Sequence, residues 1–365
     1  MRIGVHASSM SLDTAADTGN ITTDLIMELC RSYPEHTFIC FSDKQQPSLQ
    51  LPGNASLVVI PLKGNRSWQQ YFWQEWKLPR ALKAAGIDLF LGMEGILPMR
   101  SKIPATLFIR DMGFMHGVAG MRAATQRALK KNTLLYIQKA VQVAVLSDTI
   151  RKDVIEYAPA AADKLRIVSP GIYAGYKPLE WEEREDVKRE FSNGAEYFIV
   201  VGSLHPKNNI LPLLKAFSVL KRRLHSNMKL VLAGAGTAAG AEITASLANY
   251  KFRKDVIWLQ DVDQPALARL IAGAYALIYT SRFEGMATPV YGALKSQVPI
   301  IAIDGAAARE AGGDAVLYTD PDNLEDLAEK MSLLYKDEVL RGRQLGRIAG
   351  IKLPEADVEG LIAKV

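Results

Sequence analysis

Cysteine, histidine and long apolar runs are scarce in this chain, and each scarcity closes off a class of protein. Only two cysteines, Cys30 and Cys40, occur in 365 residues, too few for a disulfide framework or for a zinc site built from thiolates alone. The five histidines show no metal-ligand spacing. No segment approaches the roughly eighteen uninterrupted apolar residues of a membrane-spanning helix. The opening MRIGVHASS reads as a buried strand that begins at once, not as the apolar core of a signal peptide. A reducing cytoplasm fits these absences.

The chain is 48% hydrophobic and has 27 glycines, an ordinary composition for a protein with sizeable cores. Its length favours two domains over one. The net charge is +5, unevenly spread: 20 basic residues stand against 14 acidic through Tyr176, and 24 against 25 beyond it. The basic excess therefore belongs to the first half. It lacks the interleaved aromatics or the module of a nucleic-acid binder. An anionic membrane surface or an anionic acceptor suits it better.

Short apolar β-runs alternate with amphipathic helical stretches. RIGVHA, FICFS, SLVVIPL, IDLFLGM, ATLFIRD and QVAVLS read as strands in the first half. YFWQEWKLPRALKAAG reads as a helix interrupted at Pro79. EYFIVVGSL, KLVLAGAG, VIWLQDV, ALIYTS, PIIAID and AVLYTD read as strands in the second. Such alternation predicts parallel sheets covered on both faces. The fold class is α/β, with two Rossmann-like parallel-sheet domains facing across a cleft. The expected units are 1–175, 176–345 and a closing segment, 346–365, that packs back on the first. Ligands of such sheets bind beyond the carboxyl ends of the strands, so the cleft is the expected site.

The stretch FEGMATPVYGALKSQVP carries most of the chemistry. A strand ends, the chain turns at Arg282 to Gly285, and Thr288-Pro289 opens a helix. Thr288 is a good N-cap, and Pro289 suits the first helical position. Free amides around Met286, Ala287 and Thr288 make an anion site suited to a diphosphate, with Glu284 beside it to accept bonds from sugar hydroxyls. The competing reading is a plain strand–turn–helix with a solvated carboxylate. In VVGSLHPKNNILPLLKAF, Gly202 follows a buried strand, Asn209 can cap the next helix, and Lys207 is a cation for phosphate. His205 could assist it when protonated. Arg110 and Asp111 end another strand toward the cleft, where mutual pairing is the plain alternative. His116 is a possible base or simply a surface histidine. Arg122, Arg127, Lys130, Lys131 and Lys139 decorate one helical run, either membrane-facing or merely solvated. GAGTAAG lacks the spacing of a phosphate loop, and no serine sits in a nucleophile elbow.

Taken in order, these pieces resemble glycosyltransferase family four, retaining enzymes of the GT-B fold that use sugar nucleotides. TGNITTDLIMEL, FIRDMGF, VLSDTIRKDV and IVSPGIY match in the first half. The Lys207 loop, the Val256-to-Ala302 core and REAGGDAVLYTDPDN match in the second. The resemblance implies an acceptor domain followed by a donor domain. It also implies transfer of a hexose from a UDP- or GDP-linked donor to a glycan or lipid-linked acceptor in cell-surface polysaccharide synthesis.

By the same resemblance Glu284 touches the donor sugar, and Gly285, Met286, Ala287 and Thr288 hold the diphosphate. Lys207 serves the phosphates, Val256 to Leu259 seat the base, and Glu310 is the acidic residue near the next helix. The pattern departs at Gly292, where a second glutamate would hold the ribose, and at Ser203 and Asn208 of the phosphate loop. Arg110 replaces the histidine of a His-Asp pair, and Pro170 an asparagine. These departures also admit a non-catalytic homologue acting as a binding or regulatory partner. The layout is read as holding no Asp-x-Asp pair and as requiring no metal. The expected location is cytoplasmic, with peripheral contact at the inner face of the membrane through the first domain.

Overall fold

The computed structural model describes residues 1–8, 19–45, 50–62, 64, 66–117 and 121–362. Thr18 of the first family-like motif lies outside the described residues. So do Asn65, residues 118–120 and the last three residues of the closing segment.

The first half forms a seven-stranded sheet. In chain order its strands are β1 (Arg2–His6), β2 (Thr37–Ser42), β3 (Ala55–Val59), β4 (Leu89–Gly92), β5 (Ala105–Ile109), β6 (Gln142–Val145) and β7 (Leu165–Ile167). They lie in the order β3-β2-β1-β4-β5-β6-β7, and every pairing is parallel. The central strands are apolar on both faces because helices cover both. Every residue of β5, ATLFI, is buried, as a sheet covered on both sides requires.

A two-residue strand, β8 (Ser169–Pro170), leads into the second half. There β9 (Tyr197–Val201), β10 (Lys229–Ala233), β11 (Val256–Leu259), β12 (Ala276–Tyr279), β13 (Ile300–Ile303) and β14 (Leu317–Thr319) form a second parallel sheet. Its order is β11-β10-β9-β12-β13-β14. Each sheet reverses its direction of winding once, between β1 and β4 and between β9 and β12. Loops leaving the strands diverge at such points and open a crevice. The residues following β9 and β12 are those of the Lys207 and Glu284 loops.

After the helix Glu338–Ala349 the chain returns to the first domain. A last strand, β15 (Ala356–Asp357), pairs antiparallel with β8. Val358 and Leu361 enter the first domain's core. Thr106 Oγ1 donates to the Leu361 carbonyl at 3.3 Å, and Gln142 Nε2 to the Gly360 carbonyl at 2.5 Å. Two buried polar groups of the first sheet thus take their partners from the far end of the chain.

The expected break at Pro79 does not occur. The helix Ser67–Phe72 runs into a wider π-helical turn, Trp73–Lys77, and continues as the helix Leu78–Ala84 with Pro79 in its first turn. A π turn shifts the hydrogen-bond register, so the proline's missing N–H falls at a helix start, where none is needed.

Candidate active site

A cleft open to solvent lies between the domains. Of the residues singled out in the sequence, Arg110, Gly202, Ser203, Lys207, Asn208, Glu284, Gly285, Met286 and Thr288 all line it. They come from three separate strand ends, those of β5, β9 and β12, and only the packing of the two domains brings them together.

Glu284 is the centre of this group. Its Oε2 accepts from the Tyr279 hydroxyl at 2.8 Å, and its Oε1 lies 3.7 Å from Lys207 Nζ. Tyr279 is buried, and burial together with the carboxylate beside it pushes its phenol well above the usual value. The phenol therefore stays protonated and acts as a fixed donor that orients Glu284. Lys207 is about one-third exposed, so a ligand can draw it from the carboxylate at little cost.

The helix Thr288–Lys295 begins beside Glu284. Its N-cap is Ala287, one residue earlier than expected, and no side chain caps it. The Thr288 N–H is spent on a tight turn, donating to the Met286 carbonyl at 2.9 Å, which removes it from the expected anion-binding set. Among the described residues the Met286 and Ala287 amides have no partner. Pro289 has no N–H to satisfy. The Met286 amide, the helix's positive end and Lys207 therefore share one corner of the cleft, whereas Ala287 is buried and does not line it.

The loop after β9 is held by its own side chains. Asn208 is buried, and its Nδ2 donates to the Ser203 carbonyl at 2.8 Å. Thr280 Oγ1 donates to the Asn208 carbonyl at 2.5 Å. Gly202 has φ +137°, and a Cβ there would meet Asn208 Nδ2 at 3.0 Å. Asn209 occupies the cap position of the helix Ile210–Leu224 but makes no side-chain cap. Its amide instead donates to the Thr280 carbonyl at 2.9 Å. His205 Nδ1 accepts the Lys207 amide at 3.1 Å, and burial and the Lys207 charge lower its pKa. It is neutral at neutral pH and so is not the second cation that the sequence suggested.

On the opposite wall, Arg110 reaches Glu94 at 3.5 Å and donates to Thr22 Oγ1 at 3.2 Å. Asp111 accepts the Gly113 amide at 2.9 Å. His116 pairs with Asp153 at 3.0 Å and stacks on Phe283 of the other domain, ring centroids 5.3 Å apart. It is part of the seam between domains.

Glu284's neighbour closes that seam. A Cβ on Gly285 would lie 1.9 Å from the Arg110 carbonyl oxygen, so only glycine allows the two backbones to approach this closely. Ser147 Oγ donates to the Gly285 carbonyl at 2.5 Å. Glu310 is placed in the seam and does not line the cleft. Its carboxylate accepts from the Asp148 amide at 2.7 Å, the Thr149 amide at 2.8 Å and Thr149 Oγ1 at 2.5 Å. It thus caps the helix Asp148–Tyr157 of the first domain from the second. Val256 and Leu259 sit on the edge strand β11, half-buried against the second domain's cores, and they too lie outside the lining.

Gly292, where a ribose-binding glutamate was expected, is buried against Tyr176. A Cβ there would approach the Tyr176 ring to 2.9 Å. Tyr176 is itself buried and lines the cleft. Sequence reasoning missed it because it lies on the interdomain linker, 116 positions from the residue whose place it fills. Lys295 pins that linker by donating to the carbonyls of Ile172 at 2.7 Å and Tyr173 at 3.1 Å.

Asp-x-Asp does occur, at Asp261–Asp263 and Asp320–Asp322, contrary to the reading of the sequence. Both are spent on local turns. Asp263 caps the helix Gln264–Gly273 by accepting the Ala266 amide at 2.8 Å, and Asp320 accepts the Asp322 amide at 2.8 Å. Among the described residues no group of three or more His, Cys, Asp or Glu side chains is placed to hold a metal.

Two parallel-sheet domains that meet over a carboxylate, a lysine and a helix start define a GT-B protein. Solved structures of the same architecture cover nearly the whole chain. The lipopolysaccharide glycosyltransferase WaaG aligns over 95% of this chain and 94% of its own, at TM-score 0.76 and 16% identity. Sucrose-phosphate synthase of Thermosynechococcus elongatus aligns over 96% and 94%, also at 0.76 and 16%. Anabaena HepE, solved with UDP and glucose, aligns over 95% and 93%, at 0.73 and 14%.

The family is given by the sequence models: Glycosyltransferase Family 4 matches residues 18–174 and Glycosyl transferases group 1 matches 182–349. The chain belongs to glycosyltransferase family four. Among curated relatives, it is similar to the O-antigen chain mannosyltransferase B of Escherichia coli, 24% identical over 59% of this chain and 57% of that one. It is also similar to the O-antigen chain mannosyltransferase RfbU of Salmonella typhimurium, 24% identical over 51% and 49%. The chain spans about half the length of these relatives.

Proposed function

We propose that the protein is a retaining hexosyltransferase. It moves a hexose from a nucleoside-diphosphate donor to a glycan or lipid-linked acceptor in cell-surface polysaccharide synthesis. Mannose is the leading candidate hexose, because the curated relatives are named as mannosyltransferases. Residues 1–175 form the acceptor side and 176–345 the donor side, and the segment that begins at 346 returns to the first domain through Val358 and Leu361. The observation that carries the reading is the Glu284–Lys207 pair beside the start of the helix Thr288–Lys295.

The chemistry follows from charge. As the glycosidic bond breaks, negative charge grows on the departing diphosphate, and Lys207 with the Met286 amide and the start of the helix stabilises it. Glu284, oriented by Tyr279, holds hydroxyls of the donor sugar. The acceptor hydroxyl attacks from the face the diphosphate leaves, and the phosphate oxygen takes its proton, so no protein base and no metal is needed. The interdomain cleft limits water and hence donor hydrolysis.

The first domain also supplies a surface for peripheral contact with anionic lipid. Trp68 and Tyr71 are exposed beside Arg66, and the helix Ala123–Lys139 carries Arg127, Lys130 and Lys131, while Lys139 is tied to the Ser101 carbonyl at 2.7 Å. No helix of the described residues is long and apolar enough to cross a membrane.

Thermal melting with UDP, GDP, UDP-glucose and GDP-mannose tests the donor site. A ligand that binds only the folded state raises the melting temperature, so one nucleotide series is expected to do so. No shift with any of the four at millimolar concentration would remove the proposal.

A further inference from the structure

Asp24 sits on the helix Gly19–Ser32 and lines the same cleft as Glu284, Lys207 and Arg110. It plays no part in the donor chemistry above. Each other carboxylate lining the cleft has a partner: Glu284 has Tyr279 and Lys207, and Asp111 has the Gly113 amide. Asp24 has no hydrogen bond and no ion pair among the described residues. Burial pushes its carboxyl up to about 6, with Arg31 drawing it part of the way back. The titratable group near it on the linker side is the phenol of Tyr176, held neutral because burial and then Asp24 shift it upward. A half-buried carboxylate without a donor weakens the fold, so its placement calls for a ligand that supplies the donors.

We propose that Asp24 is a substrate-binding carboxylate on the first domain's wall of the cleft, and that it accepts hydrogen bonds from hydroxyl groups of the acceptor sugar. The chemistry selects this class of ligand. A phosphate or carboxylate would be repelled by Asp24. A cationic group would meet Arg110 and Lys207 in the same cleft. Neutral hydroxyls satisfy the carboxylate without adding charge, and a charge-assisted bond of that kind is about twice as strong as a neutral one. The first domain is the acceptor side, so the inference rests on the transferase reading above.

The test compares the full chain with Asp24→Asn and Asp24→Ala, using GDP-mannose and UDP-glucose as donors and p-nitrophenyl α-mannoside as the acceptor probe. Both substitutions are expected to lower kcat/KM for the acceptor about 10- to 100-fold, as the loss of a charged hydrogen bond does. Nucleotide affinity should stay within about twofold of the parent. Unchanged acceptor kinetics, or a loss of nucleotide affinity alone, would overturn the assignment.

A second readout separates this inference from the transferase reading. Saturation transfer between the protein and p-nitrophenyl α-mannoside is measured by NMR with UDP or GDP present. If the parent protein transfers no sugar, the transferase reading fails, yet the acceptor signal should still appear in the parent and vanish in Asp24→Asn. Equal signals in parent and variant, or no signal in the parent, would overturn the role of Asp24 itself.

Discussion

Gly292 faces the ring of Tyr176 at a distance that leaves no room for a side chain: a Cβ would stand 2.9 Å from Cε1 and 3.0 Å from Cζ. The glycine is therefore more than a missing ribose ligand. It is the seat of an aromatic ring that comes from the linker between the domains and forms part of the cleft wall.

Restoring the family's glutamate is accordingly expected to do harm. Gly292→Glu must push Tyr176 out of a buried position, and overpacking of this kind costs about 1–3 kcal/mol. Thermal melting should show the loss, and nucleotide titration should show no gain. Tighter nucleotide binding at unchanged stability would mean that the ring yields and that the glutamate reaches a ligand.

Glu284→Gln keeps the size of the side chain and an acceptor for the Tyr279 hydroxyl but removes the charge that holds Lys207. Sugar transfer should fall by about two powers of ten or more, the scale seen when one group aimed at a reacting centre is removed. The melting temperature should change little. Transfer at the parental rate would show that the reacting sugar does not meet this carboxylate.

Glu310→Ala removes the acceptor for two backbone amides and a hydroxyl at the start of a helix in the other domain. Loss of a helix cap costs about 1 kcal/mol, and here it also frees the seam. Lower stability with unaltered nucleotide affinity is expected, together with a larger radius of gyration in X-ray scattering. Weaker nucleotide binding with the same radius would instead place Glu310 at the ligand.

Asp24 also gives a pH dependence whose sign can be worked out. Its pKa is about 6 in the folded chain, against an ordinary 3.8, so the folded state holds its proton to higher pH. The stability linked to that proton is full below about pH 4 and is lost as pH rises through 6. The loss amounts to about 1–3 kcal/mol at neutral pH. Asp24→Asn should therefore be more stable than the parent at pH 7 and equal to it near pH 4. Parallel melting curves across that range would show that burial does not penalise this carboxylate.

Much of the fold was legible because local chemistry dictates it. A run such as ATLFI has no polar face, so it must be a strand covered on both sides, and β5 is. KLVLA and ALIYTS carry the same message. The π-helical turn before Pro79 was not legible, because it depends on a hydrogen-bond register that the residue types do not encode. At the site, Glu284 and Lys207 were visible through their loops, whereas their 3.7 Å approach was not. Glu310 and the Val256–Leu259 strand looked like nucleotide contacts, but Glu310 caps a helix of the other domain and β11 lies away from the cleft lining.

The sequence alone determined two parallel sheets, the strand ends that carry chemistry, and the family to which the chain belongs. Those properties follow from hydrophobic periodicity and from turn residues a few positions apart. Tertiary structure alone decided that Tyr176 fills the place opposite Gly292, that Glu310 locks the domains together, and that Asp24 is left without a partner in the cleft. Each depends on residues more than a hundred positions apart meeting, or failing to meet, across the domain seam, and no local pattern in a chain records such distances.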